Sequence, residues 1–463
     1  MNAPRVGIDA RMWRHTGIGR YLQNLVPRLV AQDLDLVAWV PPDAIGEAYA
    51  AWRGVTVRPC PAPLFSAQEQ LFWRGELRAA RLDLFHAPHL NAPLAPRVPM
   101  VVTMHDLIPL RFPGTTRSAA GTAYVRGMAR LAPRAAARVI THSESTRQDL
   151  WELAGVPRAK VAVIPLAADP RFAEPQEASR IAAVRARYGL DGPYVLYTGQ
   201  WKRYKNLETL IAGFAKLARP GLKLVLAGRE DPASPHVPAA IRAHGVEASV
   251  VATGWIEDEA DLVALHQGAS AFAFPSRLEG FGLPPLEAMA AGCPVVAADA
   301  PGLREAVAEA ALLAPVDDPG AWAAAIAQVL DDPALRERLV AAGHARVRSL
   351  GWDRTAAATA AVYRGVPQLG RAAELPAADP GRREAAPGAA AAHAAGLRAA
   401  RPARLRFGRD LAPRLRQGRD RRRRRPAPGL RPHADALRLG PDPGVPSHAA
   451  GLEAGAGAAG ADL

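Results

Sequence analysis

The chain has 463 residues, 49% of them hydrophobic, enough for about two to three domains with a large core. Its two cysteines, Cys60 and Cys293, lie far apart and outside any Cys/His cluster, which excludes a disulfide framework and a cysteine-based zinc site and fits a reducing compartment. Of the net charge of +14, residues 366–463 carry +9 through 18 arginines and nine acids, so the basic balance is a property of that stretch and not of a nucleic-acid groove. The N-terminus enters a strand directly and no run reaches the ~20 apolar residues of a spanning helix, so neither a signal peptide nor a membrane span is expected.

A first strand is predicted over residues 6–10. Gly17-Ile18-Gly19-Arg20-Tyr21 follows as a glycine turn opening a helix over 21–30. The G-x-G pair is weak as a dinucleotide fingerprint, because the third glycine would fall at Leu22; a plain tight turn is the other reading. Further strands are predicted over 34–40, 55–57, 83–87 and 100–104. The fourth runs out to His86 and His89, read mainly as loop packing, and the fifth ends at His105-Asp106. Chemistry often sits at the C-terminal ends of strands in open parallel sheets, and His105 fits that place. Residues 117–138 read as a basic helix with Tyr124, Met128 and Leu131 as its apolar stripe. Arg117, Arg126, Arg130, Arg134 and Arg138 recur at helical spacing, either as a solvated face or as a contact with an anionic membrane surface. A strand over 139–141 leads to a helix capped by Ser143 or Ser145, and residues 161–165 form the last strand of this half.

Residues 169–191 read as a connector with one helix. A second strand–helix series starts at 194–197 and continues with Gly199, Gln200, Lys202, Arg203 and Lys205 before the next helix. Further strands are predicted over 222–227 and 250–253. Residues 269–273 form a short apolar strand, followed by Glu279, the turn Gly280-Phe281-Gly282-Leu283, and a helix containing Glu287 with Pro284-Pro285 in its first turn. Gly292 suits the residue after the helix, and 294–298 is another buried strand. A helix N-terminus behind a glycine turn is a ready anion site, and here two carboxylates bracket it with seven residues between them.

The run from Glu279 to Val296 resembles the E-x7-E signature of retaining GT-B glycosyltransferases of family 4, and the resemblance extends over about residues 5–364. It implies an α/β fold of GT-B architecture, two Rossmann-like domains facing each other across a cleft: 1–168 on the acceptor side, 169–350 on the nucleotide-sugar side, and 351–365 a helix crossing back to the first domain. It implies catalytic roles for Glu279 and His105, and donor binding by Gly17, Gly19, Gly199, Arg203, Lys205, Gly280, Phe281, Gly282, Leu283 and Glu287. Gln200 departs from the family pattern, where many members have arginine; Lys202 and Arg203 are the nearest substitutes for that charge. No metal and no cofactor are expected beyond a nucleoside-diphosphate sugar, because helix N-termini with Lys205 and Arg203 can neutralise a diphosphate leaving group.

The expected function is therefore retaining transfer of a hexose, mannose from GDP-mannose being favoured, to a hydroxyl of a glycan or polyprenyl-linked glycolipid in cell-surface polysaccharide synthesis. The expected location is cytoplasmic, with peripheral contact at the inner face of the plasma membrane. Another hexosyl donor, or a non-catalytic nucleotide- or nucleic-acid-binding module on the same fold, are the alternatives; no nucleic-acid partner is expected. Residues 366–463, dominated by Ala, Arg, Pro, Gly and Leu, cannot build a packed core and are expected to be disordered, with Arg421–Arg425 a solvated charged block.

Overall fold

The computed structural model describes residues 3–112, 118–230 and 235–372. Residues 366–372, expected in the disordered tail, continue the last helix, whereas residues 373–463 of the Arg/Ala/Pro-rich tail and Arg117 lie outside the described residues. Within them the chain forms two wholly parallel sheets. The first has seven strands: β1 (Arg5–Asp9), β2 (Asp35–Val40), β3 (Val55–Pro59), β4 (Leu84–Ala87), β5 (Met100–Thr103), β6 (Arg138–Thr141) and β7 (Val161–Val163), in the order β3-β2-β1-β4-β5-β6-β7. The second has six: β8 (Tyr194–Thr198), β9 (Lys223–Ala227), β10 (Val250–Gly254), β11 (Ala271–Phe274), β12 (Val295–Ala298) and β13 (Ala311–Ala314), in the order β10-β9-β8-β11-β12-β13. Parallel sheets are covered on both faces, which is why their strands read as unbroken apolar runs. In β2, Leu36, Ala38 and Val40 join one core, while Val37 and Trp39 join the core on the opposite face.

The strand order reverses between β1 and β4 in the first sheet, where Val6 pairs Leu84, and between β8 and β11 in the second, where Val195 pairs Ala271. Ligands bind outside the carboxyl ends of strands at such switch points. The core of the first sheet continues through Ile164–Ala168 and Phe172 into that of the second. The helix Trp352–Ala372 then returns to the first sheet. Its Trp352 Nε1 donates to the Ala168 carbonyl at 3.0 Å, Thr355 Oγ1 donates to the Pro165 carbonyl at 2.8 Å, and Tyr363 packs fully buried.

Three expectations are corrected. The first helix starts at Thr16 rather than Tyr21, so Gly17 and Gly19 lie inside its first turns and not in a preceding loop. Gly19 is there because of a close approach: a Cβ would sit 2.4 Å from the Trp13 carbonyl oxygen. His86 is not loop packing but a fully buried residue of β4, bonded to Thr103 Oγ1 at 2.8 Å and to the Tyr363 hydroxyl at 2.6 Å. The basic helix spans Ala119–Ala135 and buries Val125, Met128, Ala129 and Ala132, whereas Leu131 is 47% exposed. Two of the spaced arginines serve the fold: Arg134 of this helix donates to the Ala154 carbonyl at 2.8 Å, and Arg138, already in β6, donates to the Ala159 carbonyl at 2.5 Å. Among the described residues no helix is long and apolar enough to cross a membrane, and no three His, Cys, Asp or Glu side chains are grouped to hold a metal ion.

Candidate active site

At the second sheet, fully buried β11 ends at Phe274 and the chain leaves the core through Pro275 and Ser276. Glu279 follows, then Gly282 as the N-cap of the helix Leu283–Ala290. The helix begins at Leu283 and the two prolines fall in its first turn, as expected, where a missing N–H costs nothing. Lys205 reaches Glu279 from the turn Arg203–Lys205, its Nζ 2.6 Å from Oε1, with both side chains 12% exposed. Asn206 fixes that turn. Its backbone is left-handed, φ 59°, and its amide donates to the carbonyls of Pro275 and Val316 at 3.2 and 2.7 Å. The lysine and the strand exit are thereby tied together. Burial pulls the Lys205 ammonium down, yet Glu279 beside it outweighs this and the net shift is upward, so the ammonium stays charged.

Glu287, in the middle of the same helix, is buried and paired with Arg20. Arg20 comes from the first helix of the chain, one residue after Gly19. Its guanidinium also lies 5.2 Å over the Phe172 ring and 3.8 Å from Glu259. Arg20 stays charged: burial opposes the cation, but Glu287 more than compensates. The structure thus brings an arginine from the first half of the chain to the carboxylates of the second. Arg203, expected there, is exposed at the start of its turn. Sequence reasoning missed Arg20; its place directly behind the G-x-G was the one available signal.

The first sheet contributes His105, just beyond β5. Its Nε2 lies 2.8 Å from the Pro88 carbonyl and its Nδ1 2.9 Å from His142 Nε2, with the Tyr21 ring edge-on at 5.1 Å. His142 was not singled out from the sequence. His89 accepts a hydrogen bond from the Asn91 amide and meets Phe65 edge-on. Asp106 accepts from the Ile108 amide at 2.9 Å; burial, reinforced by Glu279, pushes its carboxyl up to about 6.

The two groups of residues meet at Gly280. A Cβ there would sit 1.8 Å from the His105 carbonyl oxygen, a contact no other residue permits. Thr146 Oγ1 donates to the Gly280 carbonyl at 3.3 Å. Beside it, Glu305 accepts the amides of Glu144 and Ser145 at 2.6 and 2.7 Å, at the start of the helix Glu144–Ala154 that Ser143 caps. Of the expected glycines, Gly199 follows β8 at the second switch point, while Gly17 is exposed with open space around its Cα. Phe281 is buried in the core and Leu283 opens the helix.

The chain matches the pattern of Glycosyltransferase Family 4 over residues 15–172 and that of Glycosyl transferases group 1 over residues 183–346. It is 34% identical to a D-inositol 3-phosphate glycosyltransferase of Kineococcus radiotolerans over 52% of this chain and 59% of the relative. It is 30% identical to O-antigen chain mannosyltransferase B of Escherichia coli over 49% and 60%, and 34% identical to a glycogen synthase of Mycobacterium tuberculosis over 63% and 69%. The match spans about three fifths of the length of the first two relatives. Anabaena HepE in complex with UDP-glucose has a similar fold, with a TM-score of 0.62 at 19% identity, covering 80% of this chain and 100% of that one. The chain belongs to the family 4, or group 1, glycosyltransferases, and its two parallel sheets are those of the GT-B fold.

Proposed function

We propose that this chain transfers a hexosyl unit from a nucleoside-diphosphate sugar to a hydroxyl of a glycan or polyprenyl-linked glycolipid, with retention at the anomeric carbon. The observation that carries this is the glycine turn at the N-terminus of the 283–290 helix, bracketed by Glu279 and Glu287, each paired with a partly buried cation, and packed against His105. In the reaction the anomeric carbon leaves a diphosphate oxygen and joins an acceptor oxygen, whose proton passes to the departing phosphate. The leaving group gains negative charge. Lys205 and the helix N-terminus are the groups that stabilise it, and preorganised donors of this kind are a large catalytic term. Glu279 and His105 face the transferred sugar, and Glu287 with Arg20 holds the ribose end of the donor. Gly17 and Gly19, at the start of the first helix, and Gly199, Gly280 and Gly282 allow the donor to approach backbone.

GDP-mannose is the favoured donor, supported by the similarity to an O-antigen mannosyltransferase. UDP-glucose is the second reading, favoured by the fold shared with HepE. The setting proposed is cell-surface polysaccharide synthesis at the cytoplasmic face of the membrane. A screen of nucleotide sugars that follows release of free nucleoside diphosphate tests the reading, with the anomeric configuration of the product read by NMR. Release with no donor, or inversion of configuration, overturns it.

A further inference from the structure

His105 and His142 face each other, Nδ1 of the first 2.9 Å from Nε2 of the second. The outer nitrogen of each ring lies against a backbone carbonyl: His105 Nε2 is 2.8 Å from Pro88 O, and His142 Nδ1 is 3.0 Å from Ile164 O. A carbonyl oxygen only accepts, so both outer nitrogens must carry hydrogen. A neutral imidazole has a single N–H, and the outer bonds use both of them. The inner contact would then set two lone pairs face to face. One further proton turns it into an N–H···N hydrogen bond; without that proton one of the three contacts must be given up.

The geometry points to His105 and His142 working as one proton-binding unit that takes up a single proton across their inner contact as an anionic diphosphate enters the cleft, with His142 the positioning residue that holds the His105 ring. The anion rests on the donor reading above; the hydrogen-bond arithmetic does not. The surroundings explain why an anion is needed. Burial pushes both imidazoles down, His105 to about 4 and His142 well below its ordinary value, and their mutual repulsion excludes a second proton. His86 and His89, the nearest other titratable groups on β4 and the loop after it, are themselves kept neutral by burial. Tyr21 presents its ring edge to His105 and a tilted ring to His142 at 5.5 Å, and burial keeps its hydroxyl protonated. Asp106, next in sequence to His105, has its carboxyl raised by burial and by Glu279, whose own charge is taken by Lys205. Asp106, ionised at alkaline pH, spends its carboxylate on the Ile108 amide rather than on either ring, so the rings have no bonded counter-charge. A diphosphate beside Gly280 would supply one, because the His105 backbone touches that glycine.

The test is calorimetry of GDP and UDP binding to the full chain at mildly alkaline pH, in buffers of different protonation enthalpy. The parent is expected to take up about one proton on binding. His142→Gln, whose amide still donates to His105 Nδ1 but cannot hold the proton, is expected to bind with no uptake, keep most of kcat and lose the alkaline limb of the kcat–pH profile. His142→Phe, which removes the donor, is expected to lower kcat on the order of tenfold with donor KM unchanged. Equal proton uptake in parent and His142→Gln overturns the inference. Side-chain 15N NMR of the nucleotide-free chain with pyrophosphate is the independent arm: both rings should titrate together at one midpoint, which pyrophosphate raises. Two separate midpoints, or a pair that stays neutral throughout, overturn it as well. If neither nucleotide binds, the donor reading fails and the NMR titration alone decides the dyad.

Discussion

Glu279 and Glu287 are each paired with a partly buried cation, so a change at either is felt by its partner. Glu279→Gln is expected to lower kcat more than donor affinity, because in the proposed function it faces the sugar, and a group so placed acts mainly in the transition state. Glu287→Gln is expected to raise donor KM more than it lowers kcat, since a ribose contact is made in ground and transition states alike. His105→Ala should follow Glu279→Gln. Steady-state kinetics with saturating acceptor separates the three, and a near-parental kcat for folded Glu279→Gln would reject the assignment. Lys205→Ala should weaken nucleoside-diphosphate binding ten- to a hundredfold, on the basis of roughly 1.5–3 kcal/mol for a charged hydrogen bond. It also strands the Glu279 charge, so the double variant with Glu279→Gln is needed to divide binding from stability by calorimetry and melting. At this scale the carboxylates, Lys205 and His105 were legible, because each stands in a local pattern. Arg20 and His142 were not, since their partners Glu287 and His105 are far away in sequence and nothing local marks the pairing.

Among the elements, the strands were the most legible, because strands buried on both faces leave apolar runs bounded by turn residues. The helix Ala67–Ala79 escaped notice for a physical reason. Its buried positions are Glu69, Trp73 and Leu77, and the first carries a charge. That glutamate is tolerated inside because Arg11 pairs with it at 2.9 Å and Asn91 donates to it at 2.8 Å. A polar letter in the buried stripe hides the helical period. The cap of the 144–154 helix, left open between Ser143 and Ser145, is Ser143, and its second half is supplied from elsewhere in the chain by Glu305. Glu305→Ala removes the acceptor of two helix amides and is expected to cost about 1 kcal/mol, as lost helix caps do, read as a lower Tm. It should also raise donor KM, because Glu305 holds the 144–154 helix, and with it Thr146, against the Gly280 turn. An unchanged Tm and KM would show that water replaces the carboxylate without loss.

For the whole molecule, buried histidines set the response to acid. Burial lowers His86 and His89 to about 3 and His266 to about 4, against 6.5 in the unfolded chain. Below about pH 6.5 the unfolded state binds protons that the folded state refuses, so stability present above that pH is lost as pH falls toward 3–4. Asp106, raised to about 6, acts in the opposite sense, its contribution falling as pH rises from 3.8 to about 6, and burial raises Glu69 likewise; His105 and His142 are lowered as well, so the histidines outnumber the carboxyls. Melting temperature is therefore expected to drop steeply below pH 6.5. His266→Phe, which keeps the stacking on Phe272 and the edge contact with Phe172, should flatten that drop. An unchanged slope would assign the acid sensitivity elsewhere.

The returning helix sets the order in which the chain becomes complete. Trp352 is anchored on Ala168, 184 residues earlier, and Tyr363 on His86, 277 residues earlier. At about 5–20 residues per second a ribosome needs roughly 10–40 s to travel from the first anchor to Trp352. Throughout that interval the earliest-made sheet waits with His86 uncovered and the carbonyls of Pro165 and Ala168 without their helix donors. A nascent chain arrested before residue 352 should thus be bound by holding chaperones and cut by protease within residues 1–168, and protection should arrive only after the final helix clears the exit tunnel.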